Sequence, residues 1–138
     1  MSTSFHLSLP CVNVEETKAF YLDNIGAVSG RQSQNWIDIN LFGHQITFTQ
    51  AGKFDFNNPN YVFEGKILPS FHFGVIIDET TWHTAYNKLN ANPNLDVVTQ
   101  ATFLKEKSGE HASFFIKDPN GYMLEFKTFK NVNDMFEA

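Results

Sequence analysis

The feature that most limits how this chain can fold is an internal repeat. Phe5-His6-Leu7-Ser8-Leu9 returns in character 66 residues later as Phe71-His72-Phe73-Gly74-Val75, and the same shift carries Ala19-Phe20 onto Ala85-Tyr86. Each Phe-His pair opens an alternating apolar run, and each run is followed by a helix-like segment with an aromatic at a matching position. A repeat of this kind means two copies of one supersecondary unit rather than one irregular fold.

Period and punctuation define the unit. Phe5, Leu7, Leu9 and Cys11 fall on one face of a strand and His6, Ser8 and Pro10 on the other. Asn13 then offers an N-cap with Glu16 three residues on, and Gly26 a C-terminal stop after about Asn24. In the second copy Phe71, Phe73, Val75 and Ile77 share a face opposite His72, Gly74 and Ile76. Asp78 caps a helix whose Trp82, Ala85, Tyr86 and Leu89 follow the i, i+3, i+4, i+7 rule. Strands follow in both halves: Trp36 to Leu41 and Gln45 to Gln50 in the first, after a weak segment near 27–32. The second has Val97 to Leu104, His111 to Lys117 and Tyr122 to Phe129, with a charged tip at Lys105 to Glu110 and a type I turn at Asp118-Pro119-Asn120-Gly121. Each half reads β-α-β-β-β. The expected organisation is one α+β domain, with module 1 at about 5–50, an aromatic linker at 51–69, module 2 at about 70–128 and a tail at 129–138. The linker holds Phe54, Phe56, Tyr61 and Phe63 among asparagines and Pro59, and is read as a flap over a cleft or as a surface for a partner subunit.

Composition then excludes function classes. With 138 residues, 42% hydrophobic, 15 Phe and only 18% charged, the chain is globular and not disordered. Its net charge of -5 argues against non-specific nucleic-acid binding. No apolar run approaches membrane-spanning length, and Met1-Ser2-Thr3-Ser4 carries no basic or apolar region of a signal peptide. Cys11 is the single cysteine, which makes an internal disulfide impossible and the cytoplasm the expected location. No G-x-S-x-G, P-loop, dinucleotide fingerprint or C-x-x-C occurs.

The alternation also sorts the polar residues. His6, Thr47, His72 and Glu125 lie on strand faces opposite the helices, His6 with His72 and Thr47 with Glu125 as pseudo-symmetric pairs. Two imidazoles and a carboxylate on one face suit a facial triad for a divalent metal. On His6-Leu7-Ser8-Leu9-Pro10, Phe71-His72-Phe73-Gly74-Val75 and the run from Phe114 to Phe126, with Lys117-Asp118-Pro119-Asn120-Gly121 at its centre, the chain resembles the vicinal oxygen chelate superfamily. That superfamily includes glyoxalase I, extradiol dioxygenases and the fosfomycin- and bleomycin-resistance proteins. The resemblance spans about residues 5–128. It implies two βαβββ modules forming a half-barrel pair, and a metal held by His6, His72 and Glu125. It also implies a homodimer, and a small substrate bound through two neighbouring oxygens.

Departures from the family pattern shape the expected chemistry. Aligning Gly43 with Gly121 puts Thr47 where glyoxalase-like members carry a fourth, carboxylate ligand, with Gln45 two residues away. Three ligands resemble the extradiol dioxygenases, so Fe2+ is favoured, with Mn2+, Zn2+ or Ni2+ as alternatives. Phe115 stands where such an enzyme's tyrosine is sought. His111 shares the cleft face with Ser113 and Phe115 and is the candidate acid–base residue. Asp38 is read as structural. His83 is expected to be solvated and His44 to sit at a turn. The surplus of aromatics suggests an apolar or aromatic, oxygen-bearing substrate. The expectation is therefore a metal-dependent dioxygenase or lyase, with a metal-free small-molecule binding protein of the resistance type as the alternative.

Overall fold

Hydrogen bonding between the first and last strands closes each module. The computed structural model describes residues 2–137 and divides into two compact units, 2–56 with Asp118–Gly121, and 57–117 with 122–137. The first unit contains β1 (His6–Cys11), α1 (Val14–Ala19), β2 (Val28–Gln32), β3 (Trp36–Leu41) and β4 (His44–Gln50). Its sheet has the order β1-β4-β3-β2, with β1 parallel to β4 and the other pairs antiparallel. The second unit contains β5 (Asn60–Phe63), β6 (Lys66–Pro69), β7 (Phe73–Ile76), α2 (Glu79–Asn90), β8 (Asp96–Phe103), β9 (His111–Lys117) and β10 (Met123–Phe129). Its main sheet repeats the pattern as β7-β10-β9-β8, with β7 parallel to β10. The α+β class and the two βαβββ modules expected from the sequence are the architecture observed.

The caps act where the sequence places them. Asn13 accepts a hydrogen bond from the Glu16 amide (2.8 Å), and Asp78 accepts one from the Thr81 amide (2.8 Å). The first helix is more complex than its period suggests. After Ala19 it widens into a π-helical stretch, Phe20–Ile25, which ends on Gly26 at φ 83°. The wider turn seats Phe20 and Tyr21 together in the core, with the Tyr21 ring 5.0 Å from that of Phe48. In the second unit Trp82 carries the helix–sheet contact. Its ring stacks on Tyr86 and meets Phe114 edge-on, Phe114 stacks on Phe126, and its Nε1 donates to the Phe126 carbonyl (2.8 Å). Each such aromatic pair contributes about 0.5–1.5 kcal/mol beyond the area it buries.

Two expectations are corrected and the linker gains a defined structure. Phe5, placed on one strand face with Leu7, Leu9 and Cys11, is 60% exposed, because β1 begins only at His6 and Phe5 lies beyond its end. The strand after the linker starts at Phe73 rather than Phe71, so His72 lies just before β7. In the linker, read from sequence as a flap or a partner surface, the second half is the β5–β6 hairpin, turned by Glu64 and Gly65, both at positive φ as a type I′ turn demands. Leu68 of that hairpin is buried against Ala101, Phe103 and Phe115, and Phe63 meets the Phe103 ring at 5.4 Å. The hairpin thus covers one face of its own unit's sheet.

The turn Asp118–Gly121 belongs to the first unit, where its polar groups are buried and paired. Asp118 accepts from the Tyr21 hydroxyl (2.9 Å). Asn120 accepts from the Val12 amide (2.8 Å) and donates to the Thr17 hydroxyl (3.1 Å). Removing the Asn120 side chain strands the partly buried Val12 amide and takes a donor from the buried Thr17 hydroxyl, which costs about 1–3 kcal/mol. Asn120→Ala should therefore lower the unfolding free energy measured by urea titration clearly, while Asn133→Ala, at an exposed position, should leave it within about 0.5 kcal/mol of wild type.

Candidate functional site

The two modules present different chemistry on the sheet faces turned away from their helices. In the second unit this face carries Met123, Glu125 and Lys127 on β10 and His111, Ser113 and Phe115 on β9, paired as Glu125 with Phe115, Lys127 with Ser113 and Phe129 with His111. Gly74 lies level with Glu125 on β7, and a Cβ there would run into the Glu125 carbonyl oxygen. Glycine is what allows the strand that follows His72 to approach the Glu125 backbone so closely.

His72 and Glu125 come together in this unit. Nε2 of His72 is 3.3 Å from Oε1 of Glu125, Nδ1 is 2.9 Å from the Pro69 carbonyl, and the ring stands edge-on to Phe115 at 5.2 Å. Lys127 places its ammonium 3.9 Å from the same Oε1. The hydrogen bond to Glu125 raises the His72 pKa above 6.5, and partial burial only partly opposes it. Burial pushes the Glu125 carboxyl up, but the His72 hydrogen bond and the Lys127 charge outweigh it and hold the pKa below 4.5. Ser113, fully buried nearby, adds to that lowering although its hydroxyl closes no bond of regular hydrogen-bond geometry.

A divalent metal fits this pair in part. The Pro69 carbonyl fixes Nδ1 as the donor, the arrangement that orients a metal-ligating imidazole, and leaves Nε2 directed at the carboxylate. Two ligands each roughly 2.1 Å from one ion and near a right angle are roughly 3 Å apart, close to the observed separation. The third expected ligand, His6, belongs to the first unit, exposed at the start of β1 and level with Gln45. Among the described residues no three His, Cys, Asp or Glu side chains form a group that could hold a metal.

The first unit offers a buried carboxylate at a position the sequence reading treated as structural. Thr47, the counterpart of Glu125, donates to Asp38 (2.7 Å), which also accepts from Gln45 (3.1 Å) and lies 3.7 Å from Arg31. Asp38 is 6% exposed. The signal was present in the hairpin, because Asp38 and Thr47 are equidistant from the Phe42–Gly43 turn and must face each other. His111 shares the face of the His72–Glu125 pair but not its neighbourhood. It lies four strand positions from Phe115, roughly 13 Å along β9, with Nδ1 bonded to the Gly109 carbonyl (2.8 Å) and its ring between Phe103 and Phe129. Phe115, expected to line an open cleft, is 1% exposed beneath Leu68. His83 is exposed beside Glu79, and His44 accepts from the Phe5 amide.

Comparison with solved structures places this architecture. A glyoxalase/bleomycin resistance protein/dioxygenase from Alicyclobacillus acidocaldarius superposes with a TM-score of 0.80 at 22% identity, over 98% of this chain and 97% of that one. The fosfomycin resistance protein FosX from Listeria monocytogenes gives 0.72 at 13% identity, over 97% and 98%. An integron cassette protein from the Halifax Harbour sewage metagenome gives 0.65 at 17%, over 93% and 99%. The fold is that of the vicinal oxygen chelate superfamily. No protein-family model and no curated protein matches the sequence. Among the described residues no helix is long and apolar enough to cross a membrane.

The paired shifts define a pH window. The His72 contribution to stability is complete below pH 6.5 and is lost as the pH rises through its elevated folded pKa. The Glu125 contribution is complete above pH 4.5 and is lost as the pH falls through its depressed folded pKa. The difference in melting temperature between wild type and His72→Gln should be largest between pH 4.5 and 6.5 and should shrink by pH 9; a difference that grows above pH 7 contradicts the pairing.

Proposed function

We propose that the protein is a divalent-metal-dependent enzyme that binds a small molecule through two neighbouring oxygens. The 3.3 Å approach of His72 Nε2 to Glu125 Oε1, with Nδ1 tied to Pro69, is the observation that carries the reading. His72 and Glu125 hold the ion. His6, the repeat counterpart of His72, is the third ligand of the proposal, supplied by this chain or by a second copy in the expected homodimer. When bound, the ion supplies Lewis acidity to the chelated oxygens, with Fe2+ favoured over Mn2+, Zn2+ or Ni2+.

The protein's own groups do the rest. The Pro69 carbonyl holds the His72 ring in orientation, and Phe115 with its edge contact restricts the rotation of that ring. The Thr47 hydroxyl is committed to Asp38, which speaks against a fourth ligand from β4. On ligand count this favours extradiol-type oxygenation over glyoxalase-type isomerisation or lyase chemistry. His111, roughly 13 Å along the strand, is assigned to the far end of a longer substrate rather than to the reacting atoms. A second reading, metal-free sequestration of a small molecule, draws on the same pair, because a protonated imidazole and the carboxylate also satisfy each other without an ion.

Metal analysis of protein purified without chelator should find about one ion per chain, and His72→Ala and Glu125→Gln should each remove it. Protein that stays empty after incubation with Fe2+, Mn2+, Zn2+ and Ni2+ while still binding a ligand overturns the enzyme reading in favour of the second. Turnover is sought with the Fe2+-loaded protein on catechols in air, then on thiol adducts of α-keto aldehydes. With a substrate in hand, His111→Ala should raise KM several-fold and leave kcat nearly unchanged; a collapse of kcat alone would return His111 to the chemical step.

A further inference from the structure

The His72–Glu125 pair has a third member that the repeat does not require. Lys127 is two residues beyond Glu125 on β10, on the same face, and its counterpart in the first unit is Thr49. A lysine on the inner face of a closing strand is therefore not demanded by the fold. Its side chain is 28% exposed, and its ammonium lies 5.9 Å from the centre of the Phe129 ring, so the stem runs over apolar surface. Across the strand pair it faces Ser113, whose hydroxyl is buried and outside hydrogen-bond geometry.

The charge accounting is unbalanced. Among the described residues the one carboxylate within 4 Å of the Lys127 ammonium is Glu125, at 3.9 Å, and the oxygen concerned is the one that His72 approaches more closely. One oxygen serves two donors. If Glu125 holds a metal ion, its charge is withdrawn from Lys127 altogether. A partly buried ammonium beside the Phe129 ring then lacks a counter-charge, in a chain whose overall net charge is -5. The deficit is local and positive, and a ligand is what can fill it.

We infer that Lys127 anchors an anionic oxygen group of the ligand, so that the substrate is an oxyacid, such as an α-hydroxy or α-keto carboxylate or a carboxylated catechol, rather than a neutral diol. The inference rests on the proposed function for the location of the chelating oxygens, and adds the charge of the substrate and the residue that selects it. Lys127 acts here as a specificity residue; no bond is made or broken at its nitrogen.

Calorimetric titration with L-lactate and with propane-1,2-diol isolates the charge, because both present neighbouring oxygens on the same three-carbon frame. Wild-type protein, purified without chelator and assayed for metal, should bind lactate at least 10-fold more tightly than the diol. Lys127→Met should reduce that preference several-fold with metal content and melting temperature unchanged, because a bound ion by itself already favours a carboxylate over a hydroxyl, and Lys127→Arg should retain most of it. Lys127→Gln replaces the methionine variant if the latter melts early. Lactate bound no more tightly than the diol by wild type, or a preference undiminished in Lys127→Met, overturns the inference. Metal content separates the two proposals: wild type without metal that still prefers lactate through Lys127 refutes the metal centre and upholds the anion anchor. Wild type with metal and no preference does the reverse.

Discussion

Everything in this molecule depends on the parallel pairing of the first and last strands of each module. β1 lies against β4 and β7 against β10, so the residues that open a module and those that end it become neighbours across a hydrogen-bonded ladder. Parallel pairs need a long crossover, and here the helix and two intervening strands provide it. The register is strict because a slip by one residue would exchange the apolar set for the polar one. Gly74 shows how close the approach is: without a side chain it lets β7 run against the Glu125 backbone, which brings His72 within reach of the carboxylate.

From that closure the two modules diverge. In the second, the carboxylate is on the closing strand and is met by an imidazole and an ammonium. In the first, threonine takes the closing-strand position and the carboxylate moves across the ladder to Asp38, where Thr47 and Gln45 already satisfy it. The same backbone therefore supports a cluster of charged and titratable groups in one copy and a carboxylate satisfied by its own strand neighbours in the other. The β5–β6 hairpin adds to the asymmetry by sealing Phe103 and Phe115 under Leu68 in the second copy.

Much of this was legible from alternation and caps. The β-α-β-β-β order, the caps at Asn13 and Asp78, and the sorting of His72 and Glu125 onto one sheet face all follow from residue spacing, because strand and helix periods are local properties. The resemblance added the superfamily fold, which the solved structures share. What escaped was set by tertiary contact. Nothing local marks the switch of the first helix to π geometry after Ala19, which answers the fit of Tyr21 against Phe48. The distance of His111 from the pair depends on counting along a strand once its register is known. The Lys127 contact needed both the register and the depth of burial, and the burial of Phe115 needed the hairpin that covers it.

The turn at Asp118–Gly121 has a consequence for how the protein is made. Its carboxylate and amide serve Tyr21, Thr17 and Val12, so the earlier-synthesised copy lacks buried hydrogen-bond partners until most of the chain has left the ribosome. Domains that are contiguous in sequence can fold as they emerge, the first before the second. This chain cannot follow that order to the end. Its duplicated halves are thus no longer separable inheritances: cutting the gene between them would leave the first with an unfinished interior, since that copy depends on residues translated with the second.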